Sequence, residues 1–282
     1  MSADDKYPAE SGRRRFVKGV VGSATLAGVG TGAAAAVNSA TASAGAGGGP
    51  TQYFAIENTD GPAPRGMPQI PVTVNSDGTI EGIWPDTVKD GVATMELGGT
   101  TYKSSWYQYC GVQTYAGVEP NADQSNVFRA AASAPYEWQS DVEPGTKLTV
   151  DMFDDYETWN GGIGKSGLGK PAMGTWRSQD VSPSETLPVQ VLRSPIIQEM
   201  RQNPGKYNVA DPDWLRASTT EEGFMAWLDK CTHFCCVPAF KAYPDSAKFG
   251  AENFVYCQCH QSVYDPFSII KKQFVALPRP EE

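Results

Sequence analysis

Both histidines of this 282-residue chain lie inside clusters of cysteines. The first cluster reads Cys-Thr-His-Phe-Cys-Cys over residues 231–236, and the second reads Cys-Gln-Cys-His-Gln-Ser over residues 257–262. Thiolate and imidazole groups are ligands that zinc, copper and iron–sulfur centres take in proteins. A scarce residue that occurs twice beside thiols therefore predicts a metal centre, built by two loops that converge on one point.

The spacing within the clusters indicates which metal to expect. Structural Cys2His2 zinc sites usually pair a Cys-x2-Cys turn with a His-x3–5-His turn. Here each cluster mixes the two ligand types, as Cys-x-His and as Cys-x2-His. This mixed pattern resembles the Rieske 2Fe-2S proteins, whose two boxes read C-T-H-x-G-C and C-x-C-H-x-S. A structural zinc-binding domain with no redox role remains the alternative.

The resemblance implies a 2Fe-2S cluster with a divided ligand set. One iron would be bound by Cys231 and Cys257, and the other by His233 and His260. Neutral imidazoles leave the cluster with less negative charge than four thiolates would. Its reduction potential is therefore expected to be high.

The other four cysteines raise the question of disulfides. By the same resemblance, Cys236 and Cys259 would form a disulfide that clamps the two loops together. Cys110 and Cys235 are then left over, either as a second bridge or as two buried free thiols, and both readings stay open. Cys235 and Gln261 also depart from the family pattern, which commonly has glycine at both positions.

Two hydroxyl groups beside the second cluster extend the resemblance. Ser262 and Tyr264 match the family's hydrogen-bond donors to a bridging sulfide and to a ligand sulfur, which raise the potential further. Their presence is typical of the high-potential members that oxidise quinols. Near the end of the chain, residues 276–280 fall where the family has a proline-rich loop that covers the cluster.

The elements that must position these loops predict an all-β fold. Short β-type runs broken by Gly, Pro and Asp recur along the chain, at 70–74, 92–97, 106–109, 147–153 and 187–192. Residues 224–228 predict the strand that leads into the first cluster, and residues 253–256 the strand that leads into the second. We expect a Rieske-type antiparallel β domain over 53–282, with a cluster-binding lobe inserted at about 223–266. The stretch 91–208 exceeds what a minimal head of this family needs.

The N-terminal region indicates export. Residues 1–18 contain Ser-Gly-Arg-Arg-Arg-Phe-Val-Lys at 11–18, which resembles a twin-arginine export signal; a basic tail is the alternative. Residues 19–43 are long enough for one transmembrane helix and are the expected anchor, although Ala-Ser-Ala at 42–44 also matches a cleavage site. Residues 44–52 are glycine-rich and predict a flexible linker.

The charge of the chain restricts its partners. The formal net charge is −9, from 32 acidic and 23 basic residues, which argues against nucleic-acid binding. An acidic surface also fits the salt-rich surroundings of a halophile. With the cluster motifs, the sequence style resembles the iron–sulfur subunit of haloarchaeal cytochrome bc complexes.

This resemblance implies a membrane-anchored electron carrier in a quinol–cytochrome c oxidoreductase of the respiratory chain. The cluster domain would lie on the extracytoplasmic side of the cell membrane. Expected partners are quinol, cytochrome b and an electron acceptor, either a cytochrome c or a halocyanin-like copper protein. His260 would meet the quinol and is the expected catalytic residue. The small Rieske subunit of an exported molybdenum oxidase, of the arsenite oxidase type, is a further alternative.

Overall fold

A computed structural model describes residues 45–207 and 209–280 of the chain. The strands of this part are β1 (Gly49–Asp60), β2 (Met67–Ile70), β3 (Val72–Val74), β4 (Ile80–Gly82), β5 (Thr87–Lys89), β6 (Val92–Leu97), β7 (Thr100–Lys103), β8 (Arg129–Ala130), β9 (Lys170–Trp176), β10 (Leu187–Arg193), β11 (Phe224–Leu228), β12 (Ala239–Phe240), β13 (Val255–Cys257) and β14 (Ser262–Ala276). Its α-helices are α1 (Pro195–Gln202) and α2 (Pro212–Ser218). Short 3-10 helices span Gly45–Gly47, Ser104–Tyr107, Val112–Thr114, Ala116–Val118, Glu137–Gln139, Val150–Phe153, Pro183–Glu185, Pro204–Lys206 and Pro244–Phe249.

One curled antiparallel sheet organises the described residues. Its nine strands run in the order β12-β13-β14-β1-β2-β11-β10-β9-β8, while β3 pairs with β4 and β5 to β7 form a third sheet. The predicted all-β class is therefore confirmed at the level of a mostly β, antiparallel fold. Strands β12 and β13 of the predicted cluster lobe extend the edge of this sheet beyond β14.

The two longest strands, β1 and β14, form the spine of the sheet. They pair from Gly49 opposite Ala276 to Asp60 opposite Val263, with irregularities in register after Ile56. Residues 53–56 of β1 are fully buried in succession, which is expected of a strand covered on both faces. Aromatic rings supply much of this cover.

Helix α2 illustrates how local signals place the aromatic core. The Asp211 side chain accepts hydrogen bonds from the N–H groups of Asp213 and Trp214, and so caps the helix N-terminus. The helix then packs the Trp214 indole on the Phe54 ring of β1, with 4.8 Å between ring centroids. The cap therefore helps to fix one face of the spine.

The structure differs from the flexible linker predicted over 44–52. Where it is described, this segment is a 3-10 helix followed by the start of β1. The Ala46 carbonyl accepts hydrogen bonds from the Gln108 side-chain amide over 3.1 Å and from the Arg279 N–H over 2.9 Å. The glycine content predicted a flexible backbone. In the structure, residues 49–52 pair with β14, and these hydrogen bonds hold Ala46.

The predicted export signal over 1–18 and the predicted membrane anchor over 19–43 both lie outside the described residues. Within 45–207 and 209–280, no helix combines the length and the apolar character that crossing a bilayer requires.

Candidate metal centre

The first cysteine cluster follows β11, which lies between β10 and β2. Every residue of β11 is buried, so the end of this strand, and with it Cys231, is fixed relative to the core. The loop 231–236 then closes on itself. The Cys231 N–H donates to the Cys236 carbonyl over 2.7 Å, and the Cys235 N–H donates to the Cys231 carbonyl over 3.1 Å.

The second cluster is the turn of the hairpin between β13 and β14. Cys257 and Ser262 are opposite each other in this ladder, and the Gln261 N–H donates to the Cys257 carbonyl over 3.0 Å. Both Cys257 and Ser262 are buried, whereas the residues between them are exposed. The hairpin thus buries its two ends and presents His260 to solvent.

The two loops have the same backbone form. The fifth residue of each is left-handed, with φ of 64° at Cys235 and 58° at Gln261. This conformation costs an L residue about 1–2 kcal/mol and costs glycine almost nothing. It explains why the motifs that this chain resembles commonly have glycine at both positions.

The sulfurs of Cys231 and Cys257 are buried and are not part of disulfides. The pKa of the Cys231 thiol is lowered, chiefly because Cys257 donates a hydrogen bond to its sulfur and further because the Tyr264 hydroxyl and two backbone N–H groups of the loop do the same. The Tyr264 oxygen lies 3.1 Å from the Cys231 sulfur. The pKa of the Cys257 thiol is raised, because its proton is shared with Cys231 and because it is buried.

The two imidazoles lie next to each other, with 4.8 Å between ring centroids. The Nδ1 atom of His233 is buried and has no hydrogen-bond partner among the described residues. A buried polar nitrogen without a partner is costly, and metal ligation would relieve that cost. His260 is exposed, and the Phe234 ring packs against both imidazoles at 4.3 Å and 5.1 Å.

Two disulfides surround these groups. Cys236 and Cys259 are bonded, with their Cα atoms 6.7 Å apart, as the sequence predicted; we call this disulfide the clamp. Cys110 and Cys235 are also bonded, with their Cα atoms 5.5 Å apart, which decides the open question in favour of a second bridge. Every cysteine outside the two bridges is therefore a candidate ligand.

The clamp lies directly beside one of the free thiols. The sulfurs of Cys236, Cys257 and Cys259 all lie within 4.8 Å of one another. Cys236 and Cys259 are bonded to each other, so neither has a thiolate to offer a metal. Of these three sulfurs, only that of Cys257 is free to act as a ligand.

A proline-rich segment at 61–66, Gly-Pro-Ala-Pro-Arg-Gly, contacts both loops. The Ala63 N–H donates to the Ser262 hydroxyl oxygen over 3.1 Å, and the Thr232 hydroxyl donates to the Arg65 carbonyl over 2.6 Å. Sequence reasoning missed this segment, although two prolines and two glycines in six residues between β-type runs were a visible signal. Residues 276–280, which were expected to cover the cluster, instead bond to Ala46 and to residues 108–115.

The donor set fits a 2Fe-2S cluster of mixed ligation. Two buried cysteine sulfurs adjoin each other, and two imidazoles adjoin each other on the same two loops. Bound metal would give the orphaned Nδ1 of His233 a partner. The Ser262 hydroxyl accepts from Ala63, so its own proton remains available to a further acceptor such as sulfide.

Comparisons with known proteins identify no similar protein. No protein-family model matches the chain, and searches of curated proteins and of solved structures find no match either.

Proposed function

We propose that this chain is the Rieske iron–sulfur subunit of a quinol-oxidising cytochrome bc complex. The observation that carries the proposal is the grouping of donors on the two loops, with Cys231 and Cys257 buried and outside any disulfide and with His233 lying beside His260 with an unpaired Nδ1. Two thiolates and two imidazoles are the ligands of a Rieske 2Fe-2S centre. When bound, that centre supplies one-electron transfer at high potential.

The chain's own hydrogen bonds favour a high potential. The Tyr264 hydroxyl donates to the Cys231 sulfur, and backbone N–H groups of both loops point at the two cysteine sulfurs. The Ser262 proton is free to donate toward the site. Donors of this kind stabilise added negative charge, so they favour the reduced state.

The exposed end of the site has the groups that a quinol needs. The His260 imidazole can accept a hydrogen bond from a quinol hydroxyl at a ring nitrogen and then take its proton. The Phe234 side chain, 65% exposed, offers the quinol ring or the wall of a cytochrome b pocket an apolar contact. The electron would pass on to a cytochrome c or a halocyanin-like copper protein.

The proposed compartment agrees with the cysteine chemistry. Disulfides persist in oxidising surroundings, and this chain has two next to the site. A twin-arginine signal at 1–18 and a retained anchor at 19–43 would place the cluster domain on the extracytoplasmic face of the membrane. A protein exported in the folded state can receive its cluster before it crosses.

Electron paramagnetic resonance of the protein purified from membranes and reduced with dithionite tests the proposal. We expect a Rieske-type signal, two irons and two acid-labile sulfides per chain, and cytochrome b in the same preparation. A silent spectrum with one zinc per chain would support the structural zinc domain. A Rieske signal with a molybdenum protein in place of cytochrome b would support the oxidase subunit.

A further inference from the structure

The second disulfide joins the first cluster loop to a separate part of the fold. Cys110 lies within residues 104–118, a run of short 3-10 helices that we call the shelf. The shelf belongs to the stretch 91–208, which the sequence left without a role. The clamp joins one cluster loop to the other, whereas the Cys110–Cys235 bridge joins a cluster loop to the body of the domain.

We infer that the Cys110–Cys235 bridge is a positioning element that fixes the first cluster loop on the shelf independently of the clamp. That this loop binds a cluster rests on the proposed function, but the way in which the bridge holds the loop does not depend on it. Cys235 directly follows Phe234 and lies two residues after His233. A bond at Cys235 therefore restricts the part of the loop that carries the imidazole and the exposed ring.

The shelf also contacts the residues that enter this loop. The Tyr109 hydroxyl donates to the Lys230 carbonyl over 2.8 Å, and the Lys230 ammonium group donates to the Tyr115 hydroxyl over 2.9 Å. The Cys110 sulfur lies 3.6 Å from the Cys231 carbonyl oxygen. Tyr109, Cys110 and Tyr115 of the shelf thus contact Lys230 and Cys231, where the chain enters the first loop.

The shelf is itself fixed to the core, so it can serve as a support. Trp106 and Tyr107 are fully buried, and the Tyr107 hydroxyl donates to the Gln69 carbonyl over 3.0 Å. The Gln108 carbonyl accepts from the Leu277 N–H over 2.9 Å. A loop bonded to this segment shares the rigidity of the core.

The clamp alone would not fix the second half of the first loop. Its far partner, Cys259, is exposed on the turn of a hairpin, so the clamp ties one surface loop to another. Thr232 is held by Arg65, but Phe234 is mostly exposed and Cys235 is left-handed. In this half of the loop, the Cys110–Cys235 bridge is the covalent link to the core.

The double variant Cys110→Ser/Cys235→Gly tests the inference in the full chain. Glycine accepts the left-handed backbone, so this variant removes the link without adding strain. We expect the amides of 233–236 to exchange with deuterium at least about tenfold faster, because local opening becomes easier. We also expect the midpoint potential and its pH dependence to shift, since His233 moves. Wild-type exchange and a wild-type potential profile would overturn the inference.

The clamp provides the matched control. Cys236→Ser/Cys259→Ser should leave the exchange of 232–235 near the wild-type rate while it loosens 258–261. Should the first variant fail to fold, stepwise reduction of the wild type with dithiothreitol replaces it: the exposed clamp opens first, and the exchange of 232–235 should accelerate only when the Cys110–Cys235 bridge opens as well. Mass mapping of alkylated cysteines confirms which bridge has opened. Acceleration of 232–235 with the clamp alone open would overturn the inference. The exchange result stands even if the wild type gives no Rieske signal, so the two failures are distinguishable.

Discussion

The two cluster loops share one backbone form but are held in different ways. In both, the fifth residue is left-handed and donates its N–H to the carbonyl of the leading cysteine. The first loop is fixed by β11 and by two disulfides, of which the clamp is shared with the second loop and the Cys110–Cys235 bridge is not. The second is a hairpin turn, held by its own strands and by the segment 61–66.

The histidine position within this common turn decides its exposure. It is the third residue of the first loop and the fourth of the second. His233 therefore keeps its Nδ1 buried, whereas His260 is exposed. The first loop therefore encloses its histidine, and the second presents its histidine to solvent. The comparison can be tested from its strongest consequence to its weakest.

Loss of either leading cysteine should abolish cluster binding, because in the proposed ligand set each loop supplies one thiolate to the same iron. We expect Cys231→Ser and Cys257→Ser each to purify without iron and acid-labile sulfide, as measured by chemical analysis and paramagnetic resonance. Gln258→Ser, an exposed change in the second loop, should keep both. A cysteine variant that retains two irons per chain would show that the loops are not equivalent in ligation.

A substitution that disturbs the contact between the segment 61–66 and the second loop should have the next largest effect. A Cβ at Gly61 would lie 2.5 Å from the Gln261 carbonyl oxygen and 2.6 Å from the Ser262 Cα, so Gly61→Ala must displace the loop. Gly78 has the same φ, +82° against +81°, but open space around it. We expect Gly78→Ala to lower the free energy of unfolding by about 1 kcal/mol and Gly61→Ala by about 3 kcal/mol. Equal losses in urea titrations would mean that 61–66 does not brace the turn.

A carboxyl group flanks each loop, fully buried at Asp229 and half-buried at Asp265, and the two should titrate differently. Burial raises the pKa of Asp229, before the first loop, well above its usual range, and raises the pKa of Asp265, after the second, by less. A raised folded-state pKa gives stability that is present at low pH and lost as pH rises through that pKa. In the cluster-free protein we expect Asp229→Asn to be the more stable by about 1–2 kcal/mol at pH 8, with the advantage vanishing in acid.

Asp265→Asn is the control for this titration. Its carboxylate already accepts the Phe267 N–H over 2.8 Å, so, as pH rises, the advantage of Asp265→Asn over the wild type should stop growing at a lower pH than that of Asp229→Asn. Parallel curves of unfolding free energy against pH for the wild type and Asp229→Asn would contradict the account. They would mean that Asp229 ionises as easily in the folded chain as in the unfolded one.

The Tyr264 hydroxyl links the second loop's strand to the first loop's sulfur. Its removal in Tyr264→Phe should lower the midpoint potential, because the proposed cluster would lose a hydrogen-bond donor that favours its reduced state. A differential loss of about 1 kcal/mol corresponds to roughly 40 mV for one electron. Tyr256→Phe, whose ring stacks on Phe249, should leave the potential unchanged. Redox titration measures both potentials. A shift in Tyr256→Phe as large as that in Tyr264→Phe would mean that general loosening of the fold, and not the lost hydrogen bond, changes the potential.

The sequence led to the proposed ligand set through the motifs, and to the clamp, which the structure contains, through the family resemblance. It did not predict the shelf or the segment 61–66, because their contacts join residues far apart in the chain. Residues 106–109 are rich in aromatics and were expected to form a strand. They begin in a 3-10 helix, Ser104–Tyr107, since burial of Trp106 and Tyr107 in the core outweighs β propensity. The segment 61–66 reaches the site only because β1 pairs with β14.

The smallest expected effect concerns the left-handed residue that lacks a disulfide. Gln261→Gly removes a backbone cost of about 1–2 kcal/mol, but the greater freedom of glycine in the unfolded chain returns about 0.5–1 kcal/mol. We expect a net gain of roughly 0.5 kcal/mol in the free energy of unfolding. Gln258→Gly, in the same turn without a left-handed φ, should instead be destabilising. If both variants lose stability equally, the Gln261 side chain stabilises the folded state even though it is exposed. The two loops would then differ in what holds their fifth residue, as well as in where they place their histidine.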